Sequence, residues 1–564
     1  MSRASVKTLL KRVLNRVSGH GNELSPIEYW EQRARTYQKR SVLNIGHSEE
    51  EFEIVTRKQK DILFPILKEA MTGNENIILD LGCGPGRFTT DLAKLIGGNA
   101  IGVDPIQALL DLAPKRPDVE YLLMQEGKIP LPDEYVDIVW ITLVLGGTKG
   151  VVLDCTVAEI CRVLKDGGLL FLVENTSENT KNDHWNYRTC DDYISMFPTI
   201  NLKHISDYWD LNDRQSIFYG KMQRVDPRAL TLDEQSSDGI SVDNGPPIFI
   251  VGSDRSGTTL LRLMLNKHSR IDIPDESDFI SVLVDKRKKY GNLHDDNNLE
   301  TLFADMMAVK RLADWGMDIS RVRSKVFSSS RTLRDIISAV FETHMKDNGK
   351  KRWGDKTPRY TKYITEISEI FPDALFIHIV RDGRDVAASL KSVVWFSGNI
   401  IDAAYHWKSM VNKAKVCEDF LSGKYIEIYY ETLVNSPENV LMRLSKFLDE
   451  QFETGMVDFY QTSEKIFNEM HRGDHELLKQ EATDERIGVW RKELSEGEIS
   501  IFEFIAGKEL DKFGYTRHIR TKARSKLSLA MTVGLHCIAA APRKFLVKTK
   551  NVLLPYNGHI SQKR

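Results

Sequence analysis

The sequence predicts an α/β protein built from two successive units, each opened by a strand, a glycine-rich turn and a helix. Three observations predict it. Residues 77–95 and 248–268 both carry the strand–turn–helix pattern. After each, short apolar runs alternate with helical patterns, the order expected of a parallel sheet with helices on both faces. Between them, residues 226–247 (DPRALTLDEQSSDGISVDNGPP) are polar, acidic and end in Gly-Pro-Pro, the composition of a linker. The two glycine loops differ in spacing and chemistry, so the units are not repeats of each other.

In the first unit, residues 51–71 read as a helix, 77–81 as a buried strand and 87–96 as a helix. Further strands follow at 100–104, 119–124 and 136–145, then a helix at 157–164 and a fifth strand at 169–174. The second unit reads as strand 248–252, helix 258–268, strand 374–380, helix 382–391 and strand 425–430. The stretch between Glu276 and Arg352 is mainly helical.

The chain has 564 residues, 41% hydrophobic and 28% charged, which suffices for several buried cores and excludes wholesale disorder. Six scattered cysteines show neither a disulfide framework nor zinc spacing, and point to a reducing compartment. The net charge of −2 hides an asymmetry. Residues 1–20 carry five Lys or Arg and residues 516–564 carry eleven, with no Asp or Glu in either, so the middle has a net charge of −18. That acidic middle lacks the basic footprint of a nucleic-acid binder, whereas the two ends suit an anionic surface. Residues 1–20 are amphipathic (Val6, Leu9, Leu10, Val13, Leu14, Val17), but basic residues break the apolar core a signal peptide needs. Residues 527–541 lack Asp, Glu, Lys and Arg yet fall short of the ~20 residues of a membrane span. A cytoplasmic location is expected, with peripheral membrane contact through the basic termini as interfacial helices. The plainer alternative is that each is a basic helix packed on its own domain.

The first loop, Asp80-Leu-Gly82-Cys83-Gly84-Pro85-Gly86, follows the buried strand and opens a helix. Its G-x-G-x-G spacing differs from the G-x-G-x-x-G of a dinucleotide site. Asp104 ends the next strand, where a carboxylate suits the two hydroxyl donors of a ribose. Gln125 and Glu126 end the third strand, where an adenine edge would lie. With Glu126-Gly-Lys-Ile-Pro-Leu-Pro and Val163-Leu-Lys-Asp-Gly-Gly168, these residues resemble the class I S-adenosylmethionine-dependent methyltransferases over roughly residues 25–225. Tyr29-Trp30-Glu-Gln-Arg-Ala34 resembles the entry helix often found there. The resemblance implies a Rossmann-like seven-stranded sheet and S-adenosyl-L-methionine as cofactor. It places Asp80, Gly82, Cys83, Gly84 and Gly86 against the cofactor, Asp104 on its ribose, and Gln125 and Glu126 near its adenine. Many relatives have Asp where Gln125 stands. No Asn-Pro-Pro-Tyr follows the fourth strand, where Trp140-Ile-Thr-Leu-Val-Leu145 stands instead, which argues against the exocyclic amine of a nucleobase as acceptor. Asp183 and His184 are either helpers of the transfer or a solvated loop pair.

The second loop is Gly252-Ser-Asp-Arg255-Ser256-Gly257-Thr258-Thr259. Successive N–H groups at a helix start cradle an anion. The spacing copies G-x4-G-K-[ST], but Thr258 holds the lysine position, which argues against a P-loop kinase gripping a Mg-bound triphosphate. The cation here is Arg255. Further on, Arg381 ends a strand and Ser389 lies on the next helix, a fork and a hydroxyl for a second phosphate. These segments resemble the 3′-phosphoadenylyl-sulfate-dependent sulfotransferases over roughly residues 246–515, nearest the branch of the tyrosylprotein sulfotransferases. That resemblance implies a P-loop-type parallel sheet with a helical insertion, and 3′-phosphoadenylyl sulfate (PAPS) as donor. It implies that Arg255, Ser256, Gly257, Thr258 and Thr259 hold the 5′-phosphosulfate, and Arg381 and Ser389 the 3′-phosphate. It also implies Tyr430 near adenine and Arg486 and Gly488 in a late closing loop.

Glu276 stands where the family carries a glutamate, and Lys356 matches a lysine-bearing segment. Glu276 is the expected proton acceptor, with Asp275 and Asp278 as rivals. Lys356 and Arg255 would stabilise charge on the departing phosphate oxygen. Lys356 alternatively pairs with Asp355 or Asp382, Tyr430 alternatively fills the core, and His378 reads as a core histidine. The units are therefore expected as a basic segment 1–24, a methyltransferase-like domain 25–225, the linker 226–247, a sulfotransferase domain 248–515 and a basic tail 516–564. The combined expectation is a bifunctional transferase acting on a small-molecule, glycan or lipid hydroxyl, without metal or nucleic acid. The alternatives are a sulfotransferase with a non-catalytic first domain, and a P-loop kinase.

Overall fold

A computed structural model of the chain describes residues 26–44, 46–124, 128–177, 185–224, 245–393, 396, 398–418, 420–421, 423–462 and 481–518. The expectations placed on residues 1–24, 125–126, 183–184 and 527–541, and on nearly all of the linker, lie outside those residues.

The first sheet has seven strands, β1 (Ile77–Leu81), β2 (Asn99–Asp104), β3 (Val119–Leu123), β4 (Val136–Thr142), β5 (Leu164–Asn175), β6 (Lys203–Asp210) and β7 (Asp213–Lys221), in the order β3-β2-β1-β4-β5-β7-β6. β1 to β5 pair in parallel, but β7 runs antiparallel to β5, and β6 antiparallel to β7. The parallel order read from the first five strands holds for them, and the last two strands add an antiparallel edge. Only Leu211 and Asn212 separate β6 from β7, and a connection that short can join only antiparallel strands. β6 also reads poorly as a strand, because Lys203, His204, Asp207 and Trp209 are exposed on an edge.

Alternation along the strands feeds two cores. Ile78, Ile138, Trp140, Phe171 and Val173 face the helices Phe52–Ala70 and Thr89–Ile96, and Trp140 stacks on Phe171 with ring centroids 4.7 Å apart. Leu79, Leu81, Val139, Ile141 and Leu172 face the helices Gly150–Val163 and Cys190–Met196. Such burial on both faces is what makes the strands read as continuous apolar runs. β4 ends at Thr142 rather than at residue 145, because Leu143 turns the chain with a φ of 59°. The next helix starts seven residues earlier than its apolar pattern suggests, at Gly150.

The second sheet is wholly parallel. It consists of β8 (Ile248–Gly252), β9 (Ile271–Asp272), β10 (Arg352–Lys356), β11 (Leu375–Val380) and β12 (Tyr425–Tyr429), in the order β12-β11-β8-β10-β9. The helical stretch between β9 and β10 packs on the sheet through Phe279, Phe341 and Trp353, with Phe341 stacked on Trp353 at 4.5 Å. In each sheet the first strand of the unit has neighbours whose connections leave in opposite directions. A crevice therefore opens at the carboxyl ends of β1 and β4, and another at those of β8, β10 and β11.

The helix Gly150–Val163 also joins the two units. Val151 lies in the same apolar cluster as Val380, Trp407 and Phe513, and its N–H donates to the Phe513 carbonyl at 3.0 Å. Arg443 reaches Asp154 at 3.3 Å with Nη1 and the Glu427 carbonyl at 2.7 Å with Nη2. Among the described residues no helix is long and apolar enough to cross a membrane.

Gly150 has a φ of 61°, and a Cβ there would lie 2.4 Å from the Phe513 carbonyl oxygen, so both backbone conformation and close approach demand glycine. Gly167 has a φ of 70° with nothing within 4 Å of such a Cβ. Gly167→Ala should cost about 1 kcal/mol of stability from backbone strain alone. Gly150→Ala should cost about 2–3 kcal/mol, because it also pushes the units apart. Chemical denaturation of the two variants checks the difference.

Candidate active sites

At the carboxyl end of β1, the chain leaves the sheet through the glycine loop and enters the helix Thr89–Ile96. Asp80 is buried within β1 and accepts the Thr89 hydroxyl at 2.6 Å. Burial, with Asp104 nearby, pushes its carboxyl up to about 7. Asp104 ends β2. Its Oδ2 accepts the Gly84 N–H and its Oδ1 the Ile106 N–H, both at 2.9 Å, and burial pushes it up to about 6. Each oxygen keeps a second lone pair. The Cys83 side chain is buried and the Gly86 N–H donates to the Cys83 carbonyl, so these two residues shape the turn. Trp30 and Ala34, on the helix Pro26–Tyr37, pack on Ile106 and Leu109 above the loop.

The opposite wall is the segment after β4. Val144 lies against the loop so closely that a Cβ on Gly82 would be 2.4 Å from its Cγ2. Glu174, at the end of β5, accepts the N–H groups of Val144, Leu145 and Gly146. Arg188 donates to the carbonyls of Leu145 and Thr148. Burial pushes Glu174 up to about 7. Sequence reasoning missed Glu174 and Arg188, because nothing local to either marks a partner some 30 to 40 residues away. A cavity of about 260 Å³ lies beside β3 and the segment that follows β2, against Gln107, Asp111 and Tyr121.

In the second crevice, β8 delivers Gly252 into the loop, which leads into the helix Thr258–Asn266. Ser256 is buried and donates its hydroxyl to the Ser253 carbonyl at 2.6 Å. Arg255 holds a φ of 66° and donates Nε to Ser389 Oγ at 2.9 Å, which joins this loop to the helix Gly383–Lys391. Gly257 accepts Tyr430 closely, since a Cβ would stand 2.5 Å from the tyrosine ring. Tyr430 is 9% exposed and carries the Arg381 guanidinium over its ring at 4.3 Å. Its contacts make it the floor under Arg381 and the loop.

Lys356, the last residue of β10, is 1% exposed. Its Nζ donates to Glu276 Oε1 at 2.9 Å, lies 3.4 Å from Thr259 Oγ1 and stands 3.8 Å from Asp275. Burial, with the Arg262 guanidinium, pulls its ammonium down to about 7. Of the three neighbouring carboxylates, Glu276 is the one hydrogen-bonded to Lys356. Its other oxygen is paired with Arg311, which also lies 3.4 Å from Asp278. Asp355 points the other way, accepting the Ser277 hydroxyl at 2.6 Å, and so anchors the segment that carries Glu276. Arg311 and Ser277 have no motif to announce them. His378 is a core residue as expected, with Nδ1 2.6 Å from the Tyr425 hydroxyl.

Arg381, after β11, gathers three segments. Nη1 donates to the Arg255 carbonyl at 3.0 Å and Nη2 to the Arg486 carbonyl at 2.6 Å. Its buried Nε has no hydrogen-bond partner among the described residues. Gly488 has a φ of 70°, and the Arg486 side chain is exposed beside Glu493. The structure thus brings Arg255, Ser256, Gly257, Thr258, Thr259, Glu276, Lys356, Arg381, Ser389, Tyr430, Arg486 and Gly488 to one crevice. Asp80, Gly82, Cys83, Gly84, Gly86 and Asp104 lie in the other.

Residues 246–454 match the model of a sulfotransferase family, and residues 79–172 that of a methyltransferase domain. The chain is 26% identical over 223 residues to protein-tyrosine sulfotransferase A of Caenorhabditis elegans, which covers 38% of this chain and 52% of that protein. It is 35% identical over 116 residues to an uncharacterized methyltransferase-like protein of Schizosaccharomyces pombe, covering 20% and 44%. Among solved structures, the sulfotransferase domain from the Synechococcus PCC 7002 olefin synthase is 20% identical, covering 53% of this chain and 98% of that one at a TM-score of 0.35. The chain spans about half the length of the first of these relatives. Sulfotransferase and methyltransferase domains are both present, in an α/β fold with a mixed seven-stranded and a parallel five-stranded sheet.

Burial pulls the folded-state Lys356 ammonium down to about 7 from its ordinary value of 10.5, so the unfolded chain binds more protons between those values. Its burial lowers stability most below pH 7, and that cost fades as pH rises towards 10.5. Lys356→Met should therefore stabilise the protein at pH 7, by about 1 kcal/mol or roughly 2–4 °C in Tm. Glu276 keeps Arg311 in the variant. Thermal melts at pH 7 and pH 9.5 should show the gain shrinking at the higher pH.

Proposed function

We propose that the chain is a bifunctional transferase. In this reading residues 248–515 transfer a sulfuryl group from PAPS to an acceptor hydroxyl, and residues 25–225 transfer a methyl group from S-adenosyl-L-methionine. The observation that carries the first half is the pairing of buried Lys356 with Glu276 beside the loop at the helix start. A carboxylate suited to a general base and a desolvated cation stand together there; in this reading the first would face the acceptor and the second the leaving group.

The residues present fit such a donor. Arg381 has a buried Nε without a hydrogen-bond partner among the described residues, which a 3′-phosphate would satisfy, and Ser389 adds a hydroxyl. The loop from Arg255 to Thr259 supplies N–H groups and a guanidinium for the 5′ end. When bound, PAPS supplies the sulfuryl group and S-adenosyl-L-methionine the methyl group. Glu276 takes the acceptor hydroxyl proton as that hydroxyl attacks. Lys356, Arg255 and the loop N–H groups hold the negative charge that builds on the departing phosphate oxygen. In the first crevice, Asp104 has lone pairs left for a ribose, and Asp80 and the glycine loop sit where the donor would pass. Methyl transfer needs positioning more than a base, so the Val144 wall is the part expected to seat the acceptor. A carbohydrate, lipid or secondary-metabolite hydroxyl is the acceptor class this reading favours.

Calorimetric titration with adenosine 3′,5′-bisphosphate and S-adenosylhomocysteine should give one site for each, with neither displacing the other. If the bisphosphate fails to bind folded protein, the sulfotransferase reading is lost. If S-adenosylhomocysteine alone fails, the first unit is not a working methyltransferase. Glu276→Gln should lower kcat for sulfuryl transfer by about 10²–10⁴-fold and leave bisphosphate affinity nearly unchanged. Assays with candidate acceptors, read by mass as +80 and +14 Da products, check it.

A further inference from the structure

The motif Arg381-Asp-Gly-Arg384-Asp385 holds a second carboxylate that the reaction does not use directly. Asp385 is 1% exposed on the helix Gly383–Lys391, one turn before Ser389. Its Oδ2 accepts the Gly488 N–H at 2.7 Å and its Oδ1 the Trp490 N–H at 2.9 Å. Two amides, two residues apart, are thus held by the two oxygens of one buried group. The carbonyl of the same segment, at Arg486, is held by Arg381. The Trp490 ring packs under the Arg384 guanidinium at 3.9 Å, and Arg384 is itself fixed by Asp382 and Glu503 at 2.7 Å. The polar grips on the 486–490 backbone named above all come from the Arg381–Asp385 stretch. Buried amides without an acceptor are costly, so a segment whose N–H groups lost Asp385 would move to find water.

We propose that Asp385 is a positioning residue that shapes the 3′-phosphate pocket, acting through the backbone of Gly488 and Trp490. The proposal rests on the sulfotransferase reading and adds to it the group that sets the wall opposite Arg381 and Ser389. Asp385 does not touch the phosphate. It fixes where the 486–490 backbone and the Arg486 side chain stand relative to Arg381, so discrimination for the 3′-phosphate depends on it while contacts to the 5′ end do not.

The test compares full-length wild type with Asp385→Asn, whose amide cannot accept two N–H bonds in the same geometry. Dissociation constants are measured for adenosine 3′,5′-bisphosphate and adenosine 5′-monophosphate, which differ by the 3′-phosphate. The variant should weaken the bisphosphate by about tenfold or more and leave the monophosphate within about twofold. In turnover, KM for PAPS should rise with kcat at saturation retained. Equal weakening of both nucleotides, or of neither, overturns the proposal. A wild type that does not prefer the bisphosphate removes the sulfotransferase reading and this inference with it. Amide hydrogen exchange on wild type covers the case of a variant that fails to fold. The Gly488 and Trp490 amides should be protected, and more so with the bisphosphate than with the monophosphate; fast exchange at both in the complex overturns the proposal.

Discussion

Parallel pairing is the constraint on which both crevices depend. Parallel strands must be joined by crossovers, so each strand ends on the same edge as its neighbour while the intervening chain covers a face. Asp80, Asp104 and Val144 meet because β1, β2 and β4 all end there. Arg255, Lys356 and Arg381 meet for the same reason at β8, β10 and β11, although more than 120 residues separate the first from the last. Chemistry then follows from where each strand stops. Lys356 is the last residue of β10, so its ammonium lies at the border between a dry core and the crevice, where burial lowers its pKa and Glu276 can still reach it.

The residues legible from sequence were those on such strand ends. The loops at 82–86 and 253–257 carry their spacing in one short segment, and Arg381 with Ser389 in another. Most strands buried on both faces read as apolar runs and were placed to within a few residues, but β9 and β10 were not read, since β9 has two residues and Arg352-Trp-Gly-Asp-Lys356 is buried without an apolar run. The β6–β7 hairpin was not read, because β6 is an edge strand with exposed polar residues and β7 offers only the short apolar run Ile217-Phe-Tyr219. The residues that hold the sites in shape were also illegible. Glu174 grips amides about 30 residues upstream, Ser277 anchors to Asp355 from 78 residues away, and Arg311 reaches Glu276 across 35. Such bonds depend on tertiary proximity, and a buried carboxylate that accepts backbone N–H groups has no local pattern.

Both crevices concentrate groups whose burial is unfavourable on its own. Asp80, Glu174, Asp355 and Glu431 are all pushed up to about 7 by desolvation, and Lys356 is pulled down to the same region. In a protein whose net stability is only about 5–15 kcal/mol, so many strained charges must be offset by the packed apolar clusters behind them. The stacked pairs Trp140–Phe171, from β4 and β5, and Phe341–Trp353, from a helix and β10, belong to those clusters.

The hydrogen bond from Val151 to the Phe513 carbonyl also sets a schedule for folding during synthesis. Val151 and the adjoining face of its helix bury against residues that leave the ribosome from Val380 onwards, with Phe513 emerging roughly 360 positions later. At about 5–20 residues per second, that is a wait of roughly 20–70 s. Until those residues arrive, Val151, Val152 and Cys155 lack the covering they have in the folded protein, and the Asp154 carboxylate waits for Arg443. Comparing protease sensitivity of nascent chains arrested near residues 225 and 540 would read this directly. The first unit can form its sheet early, but the face it shares with the second stays open to water, and to chaperones that bind apolar helices, until residues 380–515 of the second unit have emerged.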